Sequence, residues 1–125
     1  MLMAVTKSWA CERLYLLFLL AMIVRIWQGW TKRADAKAYE ELLRTEIFPS
    51  IAARNVAGYH GAELFIRADG DEVEFVTLLR FHSMDAVKEF AGPDGTKPVI
   101  YPKAEALITR MEQARHYGIV IAKEL

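Results

Sequence analysis

YHGAELFIRADGDEVEFVTLLRF, residues 59–81, decides the fold. Two runs rich in Phe, Val, Ile and Thr, Tyr59–Arg67 and Glu72–Phe81, flank Ala68-Asp69-Gly70-Asp71, and Asp-Gly between such runs is a strong hairpin signal. A two-residue turn at Asp69-Gly70 sets Ile66 opposite Val73, Leu64 opposite Phe75, Ala62 opposite Thr77 and His60 opposite Leu79. That face is apolar and expects a helical cover. The reverse face pairs Arg67 with Glu72, Phe65 with Glu74, Glu63 with Val76 and Tyr59 with Arg80, so it mixes charge with large apolar groups.

Outward from the hairpin, Ile23–Trp30 (IVRIWQGW) reads as a strand. Ala34 to about Asn55 reads as a helix: Tyr39, Leu42, Leu43, Ile47 and Ile51 share one face, and Lys37–Glu41 and Glu40–Arg44 pair on the other. Pro49 should bend or restart it. After the hairpin, Ser83 is an N-cap, Asp85 suits the first helical turn and Gly92 stops a short helix. Pro93–Pro102 reads as loop, Lys103–Ala114 as a further helix and His116–Ala122 as the last strand. The order is ferredoxin-like βαββαβ, a four-stranded antiparallel sheet with helices on one face. Neither face of the first or last strand is plainly polar. A sheet apolar on both sides needs a second cover, and a second copy of the chain is the simplest, so a homodimer is expected.

The 125 residues have room for one such domain and too little for a Rossmann pair or a TIM barrel. Sixteen Lys and Arg balance sixteen Asp and Glu, which removes the global basic field that nucleic acid or an anionic membrane needs. The single cysteine, Cys11, excludes an internal disulfide and a cysteine zinc site. No His-x-x-x-His, His-Glu-x-x-His or acidic-cluster spacing appears, so no metal is expected. With an even hairpin turn, His82 lies on the face opposite His60, which keeps the two from sharing an ion.

Residues 1–21 stand apart from the domain at 22–125. The apolar run Leu14–Val24 would span roughly 16 Å as a helix, too short to cross a bilayer. Lys7, Arg13, the apolar stretch and Ala21 resemble a signal segment, although Leu19-Leu20-Ala21 matches the cleavage pattern poorly. The alternative is an upstream-extended start. A cytoplasmic location is expected, or export if residues 1–21 act as a signal.

MIVRIWQGWTK at 22–32, EVEFVTLLRFHSMDAVKEFAG at 72–92, PVIYP at 98–102 and HYGIV at 116–120 resemble the antibiotic biosynthesis monooxygenase family of dimeric α+β barrels. The resemblance covers about residues 22–122. It implies a ferredoxin-like protomer, sheets packed face to face in a dimer, and a ligand pocket between each sheet and its helices. The heme-degrading branch of the family has an Asn on the first strand, a Trp at the end of the third and a His on the next helix. Here Gln28 and Phe81 occupy the first two positions and Val87–Tyr101 contains no His, so that branch fits less well.

The resemblance then implies a cofactor-independent monooxygenase acting on an aromatic or quinol-type small molecule. The alternative is a non-catalytic homodimer of the same fold that holds a small ligand or is purely structural. Such an oxygenase needs an oriented phenol, a polar group at its hydroxyl, and a dry cavity. Gln28, Trp30, His60, Phe75, Thr77 and Phe81 are expected on the helix-facing side, with Tyr39 and Tyr101 closing the pocket. An imidazole, titrating at about 6.5, suits proton transfer, which makes His60 the candidate base; Gln28, in the place of the family's Asn, is the second candidate catalytic residue.

Overall fold

The computed structural model describes residues 22–122; the segment 1–21, with its apolar run as far as Ala21, lies outside the described residues. Strand β1 (Ile23–Lys32) leads directly into a helical stretch made of α1 (Arg33–Leu42), a π-helical segment (Leu43–Ile47) and α2 (Phe48–Ala53). Strands β2 (Tyr59–Asp69) and β3 (Glu72–Phe81) form the hairpin. Helix α3 (Met84–Ala91), a short α4 (Pro102–Glu105), and strands β4 (Ile108–Met111) and β5 (Arg115–Gly118) complete the chain. The sheet order is β2-β3-β1-β4, and β5 also pairs with β1. All pairings are antiparallel. This is the ferredoxin-like α+β arrangement expected from the sequence.

The helical stretch illustrates how sequence spacing becomes local geometry. Tyr39, Leu43, Ile47 and Ile51 are all buried, and their strict four-residue repeat runs ahead of an α-helical turn of about 3.6 residues. The wider π turn absorbs the surplus and keeps the stripe on the core. Phe48 N–H donates back to the Leu43 carbonyl, five residues away. Pro49, which has no N–H to give, follows at the start of α2. The stretch ends where Asn55 adopts φ +53°. In α3, the Ser83 hydroxyl accepts from Ala86 N–H at 3.2 Å, the cap read from the sequence.

Three expectations are corrected. First, the hairpin turns at Gly70-Asp71, with Gly70 at φ +61°, because the first central position of a type II′ turn requires positive φ and glycine supplies it without strain. Ile66 therefore faces Phe75, Leu64 faces Thr77 and Ala62 faces Leu79. The slip is by two residues, so side chains keep their faces. Second, residues 103–114 are not a helix. Only the turn Pro102–Glu105 is helical, and Ile108–Met111 forms β4 against Gly29–Thr31. The β-branched pair Ile108-Thr109 meets a free edge of β1, and that tertiary pairing outweighs the weak helical spacing. Third, the last strand runs Arg115–Gly118 rather than to Ala122. β4 and β5 follow one another along β1 as a single broken strand. At the break, Glu112 N–H donates to the Gln28 carbonyl at 2.9 Å and Ala114 N–H to the Thr96 carbonyl at 3.0 Å.

The core lies between the sheet and the helices. Ile23, Arg25, Trp27, Gly29 and Thr31 of β1 pair with Phe81, Leu79, Thr77, Phe75 and Val73 and share their face. Phe75 and Phe81 are fully buried; Tyr39 meets Phe75 edge-on at 4.7 Å, and Phe90 lies 5.5 Å from Phe81. The opposite face of the sheet has no helix among the described residues. It carries Val24, Ile26, Gln28 and Trp30 beside Glu74, Val76, Leu78 and Arg80, with Phe65 of β2 half exposed. None of the described helices is long and apolar enough to cross a membrane.

Candidate functional site

A cleft opens between the helix-facing side of the sheet and the α1–π–α2 stretch, and the segment 99–104 closes one side. Arg25, Trp27, Thr77 and Leu79 supply its sheet wall; Tyr39, Leu43, Ile47, Phe48 and Ile51 its helical wall; Phe90, Tyr101 and Ile108 its remaining sides. Its enclosed volume is about 50 Å³. A wider outer recess of about 370 Å³ adjoins it, where Leu42, Ser50, Pro102 and Lys103 join Ile47 and Tyr101, the two side chains common to both chambers. Lys103 is tied there to Glu46 at 2.7 Å. The π segment thus forms a wall of the cleft through Leu43 and Ile47, a position at which such turns recur in proteins.

Besides the hydroxyls of Tyr39, Thr77 and Tyr101, two polar groups break the apolar lining: the Trp27 indole N–H and the Arg25 guanidinium. Trp27 is buried, and its indole N–H has no hydrogen-bond partner. A buried donor left without an acceptor costs about 1–3 kcal/mol, so this N–H is the strongest local demand for a ligand oxygen. The ring is held in place from below by Gly29, because a Cβ there would approach the ring to 2.2 Å. Arg25 is 3% exposed. Its Nη1 donates to the Gly95 carbonyl and, at 3.0 Å, to Nε2 of His116; its Nη2 donates to the Lys97 carbonyl at 2.8 Å, and Phe90 lies 5.7 Å from the guanidinium carbon. Arg25 can only donate, so His116 accepts through Nε2 and carries its proton on Nδ1. Burial lowers the Arg25 guanidinium to about 10. Burial and the neighbouring Arg25 charge hold His116 below the usual imidazole range. Burial alone pushes the Tyr39 hydroxyl well above the usual phenol range. Tyr59 moves in the same direction, first through burial and then through Tyr101.

The residues expected from the sequence divide into three groups. Tyr39, Thr77 and Tyr101 line the cleft. Phe75 and Phe81 are on the helix-facing side but are buried core beneath it. Gln28, Trp30 and His60 lie elsewhere. The register of β1 on β3 puts Gln28 and Trp30 on the opposite face, where Gln28 donates to Glu74 at 2.8 Å and the Trp30 indole N–H to Asp69 at 3.0 Å, under Arg110 at 3.8 Å. His60 is the extra residue of a bulge: Tyr59 pairs with Phe81 and Gly61 with Arg80, leaving His60 exposed and handing its place on the helix face to Tyr59. The bulge also brings the His60 ring to 6.0 Å from His82, so the two rings do meet although the turn has an even count. No group of three His, Cys, Asp or Glu that could hold a metal occurs among the described residues.

The residues missed in the sequence are Arg25 and Trp27. Both alternate with Gln28 and Trp30 on β1, and only its register on β3 decides which set faces the helices. The fold and the cleft define a ferredoxin-like α+β domain with a small apolar cleft, open to a wider recess, between its sheet and its helices. No family model matches the chain, and no curated protein does. Among solved structures, a Bacillus cereus protein provisionally named an antibiotic biosynthesis monooxygenase superposes with a TM-score of 0.59 at 14% identity, covering 83% of this chain and 98% of its own. One from Nitrosomonas europaea with the same provisional name gives 0.58 at 15% identity, covering 78% and 89%. A point mutant of MhuD with two manganese protoporphyrin IX molecules bound per active site gives 0.57 at 17%, covering 82% and 98%. The fold is therefore the one adopted by the antibiotic biosynthesis monooxygenases.

Proposed function

We propose that this protein binds a small aromatic or quinol-type molecule in the cleft and oxidises it with dioxygen as a cofactor-independent monooxygenase, working as a homodimer. The observation that carries the binding step is the buried Trp27 N–H without an acceptor, set in a wall of aromatic and aliphatic side chains. A flat ligand with a ring oxygen satisfies both features. The oxidation step is supported by the names of the fold neighbours and by the mostly apolar lining. In it, an activated ring CH2 gives a proton to water at the open recess, and the resulting carbanion passes an electron to dioxygen. One oxygen atom ends in the product carbonyl and the other leaves as water. The face of the sheet away from the described helices, where Val24, Ile26, Val76 and Leu78 lie beside a half-exposed Phe65, supports the dimer. An iron porphyrin fits this cleft poorly, because its lining contains no histidine and the nearby His116 spends its Nε2 on Arg25.

A second reading, a ligand-binding dimer without chemistry, is favoured by a specific observation. The lining contains no group that titrates near neutrality, and Tyr39 is driven further from it. Dioxygen uptake by the full-length protein over a panel of hydroquinones and polycyclic phenols, with quinone absorbance as second readout, separates the two. Catalysed uptake that falls at least tenfold in Trp27→Phe and is unchanged in Gln28→Ala and His60→Ala supports the monooxygenase. Binding without uptake leaves the second reading, and neither binding nor uptake ends both.

A further inference from the structure

We propose that the ligand of the cleft is an aromatic carboxylate whose oxyanion enters the small inner chamber while its ring extends towards the outer recess, and that Arg25 is its anchor. The inference rests on the cleft being a ligand site, and it adds the charge of the occupant and the residue that selects it.

Among the described cations, those with acidic partners are all appreciably exposed: Arg44 with Glu40, Arg67 with Glu74, Arg80 with Glu63, Lys103 with Glu46 and Arg110 with Glu72. Arg25 differs. It is almost wholly buried, and no carboxylate of the described chain lies within ion-pair distance of it. A buried charge is normally paired. The groups that hold it, two backbone carbonyls and a neutral imidazole, orient the guanidinium without neutralising it. They use three of its five N–H donors, and Nε–H and one Nη2 proton make no hydrogen bond within the described chain. Those two donors belong to a planar fork suited to an oxyanion. Phe90 beneath the guanidinium and Trp27 along the same strand supply flat apolar surface for the ring that carries the anion. The lowered guanidinium fits a site where the cation lacks its counter-charge.

The test compares 2-naphthoate with 2-naphthol, one bicycle with and without a charge at neutral pH, by calorimetric titration of the full-length protein. The expected result is a dissociation constant at least tenfold lower for 2-naphthoate. That ratio should shrink towards one in Arg25→Met, remain partly in Arg25→Lys, and persist in Lys103→Ala, which removes the only cation of the outer recess. Equal binding of the two probes by the wild-type protein overturns the anion anchor and leaves the cleft as a neutral aromatic site. A preference that survives Arg25→Met undiminished, or that disappears in Lys103→Ala, places the charge elsewhere and overturns it too. Binding of neither probe removes the aromatic-ligand reading and the anchor together. If Arg25→Met does not fold, the wild-type ratio and its persistence in Lys103→Ala decide the matter, because Arg25 is then the one other cation of the lining.

Discussion

Replacing Gly29 by alanine tests whether the Trp27 ring is held where the cleft needs it. A Cβ at position 29 would lie 2.2, 2.7 and 2.8 Å from three carbons of that ring. Ordinary contact begins near 3.4 Å, so the ring must retreat by about 1 Å at its tip. Trp27 is 8% exposed and belongs to the packed core, so the retreat strains its neighbours. Overpacking of this kind costs about 1–3 kcal/mol, against which losing glycine's freedom in the unfolded chain returns about 0.4–1 kcal/mol. The net loss is about 1–2 kcal/mol. At roughly 4–8 °C per kcal/mol for a domain near 100 residues, the melting temperature falls by about 4–16 °C. Thermal unfolding measures it, and the decisive form is a double-mutant cycle. In a Trp27→Leu background the offending ring is absent, so Gly29→Ala should become neutral or slightly stabilising. An equal loss in both backgrounds refutes the contact and removes the account of how the indole N–H is aimed.

Two further predictions follow from the geometry around the cleft and the open face. His116 is held below its usual value of 6.5 in the folded state, so as pH falls through that value the unfolded chain takes up a proton that the folded chain resists; stability is full above it and declines below it. Denaturant titrations from neutral to mildly acid pH should show His116→Gln, which can still accept from Arg25, losing less stability than the wild-type protein; parallel curves exclude the contribution. For the dimer, Phe65→Glu, which puts a charge on a half-exposed aromatic directly opposite Val76, should weaken self-association at least tenfold in light scattering at micromolar protein, and a wild-type monomer under the same conditions refutes the dimer outright.

What the sequence made legible depended on the range of the interaction. The hairpin, the Ser83 cap and the long helical stretch with its stop are set by neighbours a few residues apart, and all are found. The turn was misplaced by one residue, which altered every partner in the hairpin and no face, because a slip of two preserves the strand alternation. The spacing of residues 103–114 reads as helical, while the strand character of 108–111 lies in the free edge of β1, far away in the chain. The site fared worst for the same reason. On β1, one alternating set faces the helices and the other the open side, both sets contain a tryptophan and a polar residue, and nothing local separates them. His60 shows the opposite failure: its strand parity was sound until a single bulged residue turned it outward and put Tyr59 in its place.

The cleft gathers the positions at which local rules yield. The helical wall carries a π turn, the β1 wall needs a glycine in a strand interior to seat an indole, and the inner end holds an arginine with no acid beside it. Each is unfavourable for folding: a wide turn in place of an α-helical one, a residue of low strand propensity, and a buried cation. Folding alone would be served better by an α-helical turn, a β-branched residue and an aliphatic side chain. Their convergence on one chamber, while the core beneath it is conventionally packed around Phe75 and Phe81, is what supports the proposed site there. It also sets how the chamber would select. An acceptor for Trp27 and an anion for Arg25 are demands that a single oxygen-bearing ring can meet together, so an occupant offering only one of them leaves the other polar group buried and unpaired.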